Sequence, residues 1–339
     1  MHTRAMAGGP EVSALGLGCM GMSDFYGAAD PAESIATVNE ALDCGVTLLD
    51  TGDFYGMGHN ELLLREILWE RPREELFIAV KFGALRDPAG RFTGVDARPE
   101  AVQNFLAHTL TRLGTDYVDL YQPARVDPNV PIEETVGAMA QMRQAGHVRH
   151  LGLSEAGAET LRRAHREHPL TWLQIEYSLL SRGIEEEILP ACRELGIAVS
   201  AYGVLSRGLL SGHWSRDRSE RARDFRGHLP RFQGGNLDNN LALVQALDGL
   251  AAEKNVSVAQ LAIAWVLAQG DDIVPLIGAR TRERLRESLG ALDVVLSAEE
   301  LARIETAVPR DAVAGERYGA EQMAMLDSEH KGGTPPGDG

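Results

Sequence analysis

Eight short, apolar, β-rich runs recur along this chain, and helical patterns separate them. The runs are Val12–Gly18, Thr47–Asp50, Leu76–Phe82, Tyr117–Gln122, Val148–Ser154, Thr171–Tyr177, Ile197–Tyr202 and Ile273–Ile277. Helical periodicity falls near Ala32–Asp43, Glu61–Trp69, Pro99–Leu113, Ile132–Gln144, Ala158–Glu167, Glu185–Glu194 and Arg282–Leu289, with two further helices, Asn239–Glu253 and Val258–Ala268, before the eighth run. Continuous apolar runs without polar alternation suit strands buried on both faces, and parallel strands need crossover helices. Pro99 and Pro131 sit where a first helical turn tolerates a missing N–H. Gly45, Gly114, Gly146 and Gly196 each follow a helix and precede a strand, as left-handed helix stops do. The pattern predicts a single-domain (β/α)8 barrel over residues 1–331, with an open doubly wound sheet as the alternative. Residues 332–339 hold only Gly, Thr, Pro and Asp and read as a disordered tail.

Barrel enzymes carry their chemistry at the C-terminal ends of strands. Here those ends are unusually polar: Asp50 then Tyr55, Lys81, Gln122, Ser154, Gln174 and Tyr202, with Gly18 and Met20 after the first run and Gly278 and Arg280 after the last. The stretch Thr47–Gly56 is the densest. It reads as a strand ending in an acid, a turn through Gly52 and Asp53, the phenol of Tyr55, and then a helix with Asn60 as its cap and Leu62, Leu63, Ile67 and Leu68 on one face. A free phenol titrates near pH ~10, poorly matched to proton transfer at neutral pH. A neighbouring ammonium, held by a carboxylate, is expected to favour the phenolate. A long connection, Gly203–Asn236, lacks periodicity and carries Arg207, Arg216, Arg218, Arg221, Arg223, Arg226 and Arg231. Its place after a strand end suits a lid.

Composition excludes several classes. With 33 Lys and Arg against 49 Asp and Glu, the net charge of −16 argues against general nucleic-acid or anionic-membrane binding. No run approaches a membrane span or a signal peptide. Three cysteines without a CxxC pair fit reduced thiols in a cytoplasmic protein. The ten histidines form no HxH or HExxH arrangement, so no metal is expected. Gly16–Gly21 matches G-x-G-x-x-G, but no helix face begins before Ile35, which speaks against a Rossmann site. The sequence DFYG occurs at Asp24–Gly27 and at Asp53–Gly56, but Tyr26 lacks the preceding strand and acid.

Taken together, GLGCMGMSDFYG (Gly16–Gly27), LDTGDFYGMGHNELLLR (Leu49–Arg65), AVKFG (Ala79–Gly83), DLYQPARVDPNVPIEET (Asp119–Thr135), VRHLGLSE (Val148–Glu155), QIEYS (Gln174–Ser178) and AYGVLSRGLLSG (Ala201–Gly212) resemble the aldo-keto reductase family over nearly the whole chain. That resemblance implies hydride transfer between a nicotinamide, NADPH or NADP, and a small carbonyl or alcohol substrate. It implies Tyr55 as proton donor, with Lys81 and Asp50 as its partners. It places Ser154 and Gln174 as clamps on the nicotinamide carboxamide and Tyr202 as the ring stacked on it. Gly18, Met20, Gly203, Leu205, Arg207, Gly278, Arg280, Arg284, Glu287 and Ser288 fall in cofactor-binding segments, with Arg280 and Arg284 matching positions that hold a 2′-phosphate. Ser288 stands where the family usually has asparagine. In the family motif Asp-Leu-Tyr-x-x-His-Arg, the histidine touches the substrate carbonyl; here Ala124 stands in its place, after Pro123. Gln122 or a water is a candidate substitute, and Gln122, Ala124 and Tyr26 are assigned to the substrate pocket. A rival reading keeps the nicotinamide but not the turnover: a slow sensor or regulatory subunit. Homo-oligomer formation is left open.

Overall fold

The computed structural model describes residues 1–5, 9–23, 25–221 and 224–330. Eight parallel strands close into a barrel: β3 (Gly16–Gly18), β4 (Leu48–Gly52), β5 (Phe77–Phe82), β8 (Val118–Pro123), β9 (Val148–Ser154), β10 (Trp172–Glu176), β11 (Ala198–Tyr202) and β12 (Ile273–Gly278). Pairing of Ile277 with Leu17 and of Gly278 with Gly18 completes the ring and rules out an open sheet. Two hairpins stand outside it: β1 (Thr3–Ala5) with β2 (Glu11–Ser13), and β6 (Ala84–Arg86) with β7 (Phe92–Val95).

Around the barrel run α1 (Pro31–Asp43), α2 (His59–Glu70), α3 (Pro99–Leu113), α4 (Ile132–Gln144), α5 (Ala158–Glu167), α6 (Ile188–Leu195), α7 (Arg216–Arg221), α8 (Gly234–Glu253), α9 (Val258–Leu267), α10 (Arg282–Leu289), α11 (Ala298–Ala307) and α12 (Ala320–Met323). Their starts follow local chemistry. Asp30 caps α1 by accepting from the Ala32 N–H at 3.0 Å, with Pro31 in the first turn. Ser257 and Gln260 form a capping box on α9, and Ser297 and Glu300 another on α11. Gly45, Gly114, Gly146 and Gly196 all have positive φ, as a left-handed stop requires.

Several local expectations are corrected. The run Val12–Gly18 is two strands, because the chain turns at Ala14 and Leu15 between the N-terminal hairpin and the barrel. Asn60 lies inside α2 and does not cap it; its amide donates to the Cys19 carbonyl at 2.9 Å and accepts from the Thr51 hydroxyl at 2.6 Å, tying the loop after β3 to β4. Leu62 is exposed, and the buried face of α2 is Asn60, Glu61, Leu63, Leu64 and Ile67. Helix α6 starts at Ile188, since Gly183–Glu185 forms a separate turn pinned by Arg182 and the Tyr177 hydroxyl on Glu185. Helix α11 and both hairpins were not anticipated. The tail from Lys331 onward lies outside the described residues, as do Ala222 and Arg223 of the long connection.

Strand alternation sorts the side chains. Leu48, Phe77, Ala79, Leu120, Trp172, Ala198, Val274 and Leu276 form one buried cluster, joined by Val12 from the N-terminal hairpin, which places that hairpin at the N-terminal end of the barrel. Their odd or even neighbours, such as Leu49, Ile78, Val80, Tyr121, Leu173 and Ile277, pack outward against the helices. Two residues further along the inward positions, the layer turns polar, with Asp50, Lys81, Gln122, Ser154, Gln174 and Ser200 all buried. Gly16 faces the apolar layer: a Cβ there would stand 2.6 Å from Leu276 and 2.7 Å from Leu48.

Gly16→Ala should therefore cost about 1–3 kcal/mol through overpacking, read as a lower denaturant midpoint. Combined with Leu48→Ala, which vacates that space, the loss should be smaller than the sum of the two single changes; strict additivity would mean that the Cβ does not meet Leu48.

Candidate active site

At the C-terminal end of the barrel lies a cavity of about 820 Å³. Every site residue expected from sequence lines it except Gln122. Asp50, Tyr55 and Lys81 meet at its floor. Lys81 Nζ donates to Asp50 Oδ1 at 2.6 Å, and Gln174 Nε2 donates to Asp50 Oδ2 at 2.6 Å. The ammonium lies 5.1 Å from the Tyr55 ring centre. Burial pulls the Lys81 pKa down, and the Asp50 carboxylate opposes that pull.

The titration of Tyr55 corrects a sequence-based expectation. Its phenol is raised well above the ordinary value, first by burial and then by Asp50. Lys81 is salt-bridged, so the phenol faces a nearly compensated pair and not a bare cation. Desolvation then wins. A phenol in this setting holds its proton at neutral pH and gives it up only to an oxygen gaining negative charge.

Gln122 is the other correction. It points inward from β8 but is fully buried, with both amide atoms lacking a hydrogen-bond partner, and its Oε1 abuts Gly152. It shares the inward polar layer of Asp50 and Lys81 but does not line the cavity. Ala124 lines the cavity, and its N–H donates to the Phe82 carbonyl at 2.7 Å, beside Lys81. The next residue, Arg125, also lines the cavity and had been given no role. Tyr26 forms part of the wall, its ring edge-on to Phe225 at 5.2 Å and under the Arg226 guanidinium at 5.0 Å. Burial pushes its phenol up to about 12.

The residues assigned to a cofactor divide into two groups. Ser154 and Gln174 are neighbours in register, and the Ser154 hydroxyl bonds no other described residue. Gln174 gives its N–H to Asp50, which leaves its carbonyl oxygen to accept from a carboxamide. Gly18, Met20, Gly203, Leu205 and Gly278 offer backbone and apolar wall. Farther out, Arg280 donates to the carbonyls of Tyr26 (2.8 Å) and Ala28 (3.3 Å), holding the loop after β3. Arg284 at the start of α10 contacts His213 at 2.7 Å and pairs with Glu287 at 2.7 Å, while Ser288 is buried against the same wall. Arg218, Arg226, Arg280 and Arg284 lie close enough for their charges to depress the Arg218 pKa after burial has done so. Such a cluster suits phosphate groups, and the Ser154–Gln174 edge suits a carboxamide, so the donor set fits a nicotinamide dinucleotide.

The long connection after β11 forms one side of the cavity through Leu205, Arg207, His213, Arg218, Phe225 and Arg226. Phe225 packs against Phe25, with ring centres 5.6 Å apart, so the segment meets the loop after β3. Arg207 lines the cavity with its guanidinium held by Glu176 at 2.8 Å and the Tyr318 ring 4.4 Å away. Sequence reasoning missed the network to which it belongs. Glu155, buried and at φ +55°, receives Arg317 (2.9 and 2.5 Å), the Tyr202 hydroxyl (2.7 Å) and Ser328 (2.7 Å). Burial would raise the Glu155 carboxyl, but Arg317 and Arg125 hold it far below the usual range. Arg317 and Tyr318 come from the segment after α11, and the motif LGLSE was the one sequence cue to Glu155.

The sequence of residues 14–309 matches the family model for the aldo/keto reductase family. The chain is 44% identical over 313 residues to a probable aldo-keto reductase 1 from Glycine max, spanning 91% of this chain and 89% of that protein. It superposes on the glycerol dehydrogenase of Gluconobacter oxydans with a TM-score of 0.83 at 29% identity, covering 91% and 96% of the two chains. An aldo-keto reductase from Bacillus halodurans, in its holo form, gives 0.76 at 27% identity, covering 91% and 97%. The closed eight-stranded barrel and the sequence match define an oxidoreductase class. This chain belongs to the aldo-keto reductase family, whose members act on carbonyl compounds and generally use nicotinamide cofactors. Among the described residues no helix is long and apolar enough to cross a membrane.

The loop between Asp50 and Tyr55 yields a stability prediction. Asp53 is buried with one oxygen unpartnered, and burial, then the nearby Glu61, raise its pKa to about 7. Glu61 already pairs with Arg112, so ionising Asp53 leaves that cluster with an excess negative charge. A raised folded-state pKa means the contribution is complete below the unfolded value near ~4 and is lost as pH rises through about 7. The Tm should fall by a few degrees between pH 5 and pH 8, and Asp53→Asn should flatten that slope. An equally steep fall in the variant would assign the effect to other groups.

Proposed function

We propose that the protein is an NADPH-dependent reductase of an aldehyde or ketone, with Tyr55 as the proton donor. The observation that carries this is the convergence of a buried phenol, a carboxylate-anchored lysine and the Ser154–Gln174 edge on one cavity. Ser154 and Gln174 would hold the carboxamide of a bound nicotinamide, which would supply a hydride for the carbonyl carbon. Tyr55 then delivers its hydroxyl proton to the carbonyl oxygen as negative charge gathers there. Asp50 fixes Lys81 by ion pairing, and Lys81 stabilises the phenolate once the proton has left. Gln174 holds the far oxygen of Asp50, so the carboxylate cannot rotate away from Lys81. Tyr202 presents its ring to the cavity while its hydroxyl is anchored on Glu155, which favours a fixed stacking surface. Preference for NADPH over NADH rests on the arginine cluster at the outer end, where a 2′-phosphate adds charge for Arg280 and Arg284 to meet.

Tyr55→Phe should reduce turnover to below about a tenth of wild type while leaving NADPH affinity nearly intact. Retention of more activity would remove Tyr55 from the role of proton donor and turn attention to Tyr26. The same assay addresses the slow-sensor reading, because wild type inactive against a broad carbonyl and alcohol panel would favour it.

For cofactor choice, Arg284→Ala should weaken NADPH by about tenfold or more and NADH little, since a charge-assisted contact contributes roughly 1.5–3 kcal/mol. Equal losses for both cofactors would assign Arg284 to the stability of α10 through Glu287.

A further inference from the structure

The end of β8 contributes two residues to the cavity, Ala124 and Arg125. Ala124 offers only a methyl group. Arg125 offers a guanidinium on the same cavity as Tyr55 and Lys81. Its hydrogen bond among the described residues is to its own neighbour, the Ala124 carbonyl, at 2.6 Å. Its other contact is the Tyr318 ring, 6.0 Å away. Among the described residues no carboxylate forms an ion pair with it. The neighbouring guanidiniums are all committed: Arg207 to Glu176, Arg317 to Glu155, and Arg231 to Ser181 at 2.7 Å.

Lys81 is held in contact by Asp50, whereas among the described residues Arg125 meets no carboxylate in contact and shares the negative charge of Glu155 only at longer range. The Arg125 charge is felt at the reactive groups, since it favours the Tyr55 phenolate and opposes the Lys81 ammonium. The guanidinium keeps its charge despite burial, through Tyr318, Tyr202 and Glu155, but its donors beyond the Ala124 carbonyl remain open to a carboxylate that a ligand brings into contact. The planar fork of arginine matches a carboxylate with two parallel hydrogen bonds. The cofactor's phosphates have their own arginines at the outer end of the cavity, which leaves Arg125 to the substrate.

We propose that Arg125 binds a carboxylate of the substrate, and that this enzyme acts on carbonyl compounds carrying a carboxylate beside the carbonyl carbon, that is, 2-oxoacids. This deepens the reductase reading and rests on it for the turnover, though not for the binding. Ala124 then serves the same end. It removes a competing donor and leaves room for the carboxylate to lie against Arg125 while the carbonyl oxygen faces Tyr55.

The test pairs phenylglyoxylate with its methyl ester, which removes the negative charge and adds one methyl group. Binding of each is measured by calorimetry to wild type, Arg125→Met and Arg125→Lys, with and without NADP, which cannot reduce them; reduction by NADPH is measured separately. Wild type should bind the acid about tenfold or more tightly than the ester, and should show the same preference in kcat/KM. Arg125→Met should bring the acid-to-ester ratio close to one, and Arg125→Lys should keep part of it. Equal binding of acid and ester by wild type, or an acid preference that survives Arg125→Met, would overturn the assignment. Equal losses on both compounds would also overturn it, by making Arg125 a donor to the carbonyl oxygen. Acid binding through Arg125 without turnover would uphold the site and refute the reductase reading, so the two can fail separately.

Discussion

The Lys81–Asp50 ion pair is the constraint on which the rest of this structure depends. It sits where the barrel interior changes from an apolar layer to a polar one, with both side chains about 4% exposed. A buried pair of this kind gives little net stability and leaves a costly orphan if either partner is lost. Its value is positional. Parallel strands β4 and β5 place the two groups in adjacent inward positions, and Gln174 on the far side of the barrel locks the carboxylate from a third direction. The compensated pair then allows a phenol to lie beside a lysine without being ionised by it. The resting site is thus biased toward a protonated Tyr55, as a reductase requires.

A second electrostatic structure supports the first from above. Glu155 and Glu176 project from the ends of β9 and β10 and gather Arg207, Arg231 and Arg317 around them. Arg207 and Arg231 belong to the long connection after β11, and Arg317 to the segment that follows α11. Two otherwise irregular stretches are therefore nailed to the barrel rim by buried charge. Tyr202 hangs from the same network through Glu155, so the orientation of a cavity-lining ring depends on residues more than a hundred positions away in sequence. Removing Arg317 would leave Glu155 buried and unpaired, and the loss would be felt in the wall as well as in stability.

These distances in sequence explain what could be read beforehand and what could not. The eight barrel strands were legible because each is buried on both faces and so appears as an unbroken apolar run. The cluster of Asp50, Tyr55 and Lys81 on one cavity was legible because strand ends have a fixed meaning in this architecture. Gln122 shows the limit: strand parity says that it points inward, but not that its amide is fully buried and absent from the cavity lining. Asn60 shows another, since its capping propensity was overridden by tertiary bonds to Cys19 and Thr51. The two hairpins were hidden by their brevity, and Val12–Gly18 by its seamless hydrophobicity. The capping box at Ser297 and Glu300 was readable in sequence and marks α11. The partnership of Glu155 with Arg317 left no local signal at all.

The charge of the chain and the charge of its cavity have opposite signs, and this shapes how the site meets its ligands. The net charge of −16 repels anions at long range, yet the cavity wall carries Arg125 near the chemistry and Arg218, Arg226, Arg280 and Arg284 farther out. Long-range steering of an anionic ligand is therefore weak or adverse, and is screened within a Debye length of about 8 Å at physiological salt. Selectivity for anions must arise after entry, from short contacts in a partly desolvated space where a guanidinium is worth far more than on the surface. Near the mouth, Arg284 is shared with Glu287 and His213, and Arg226 with Asp224, so these cations are pre-positioned and partly neutralised before a phosphate arrives. Arg125, at the inner end, makes no contact ion pair among the described residues and is balanced by Glu155 only at longer range. The cavity thus grades from contact-paired arginines at its mouth to a more loosely balanced one beside Tyr55 and Lys81.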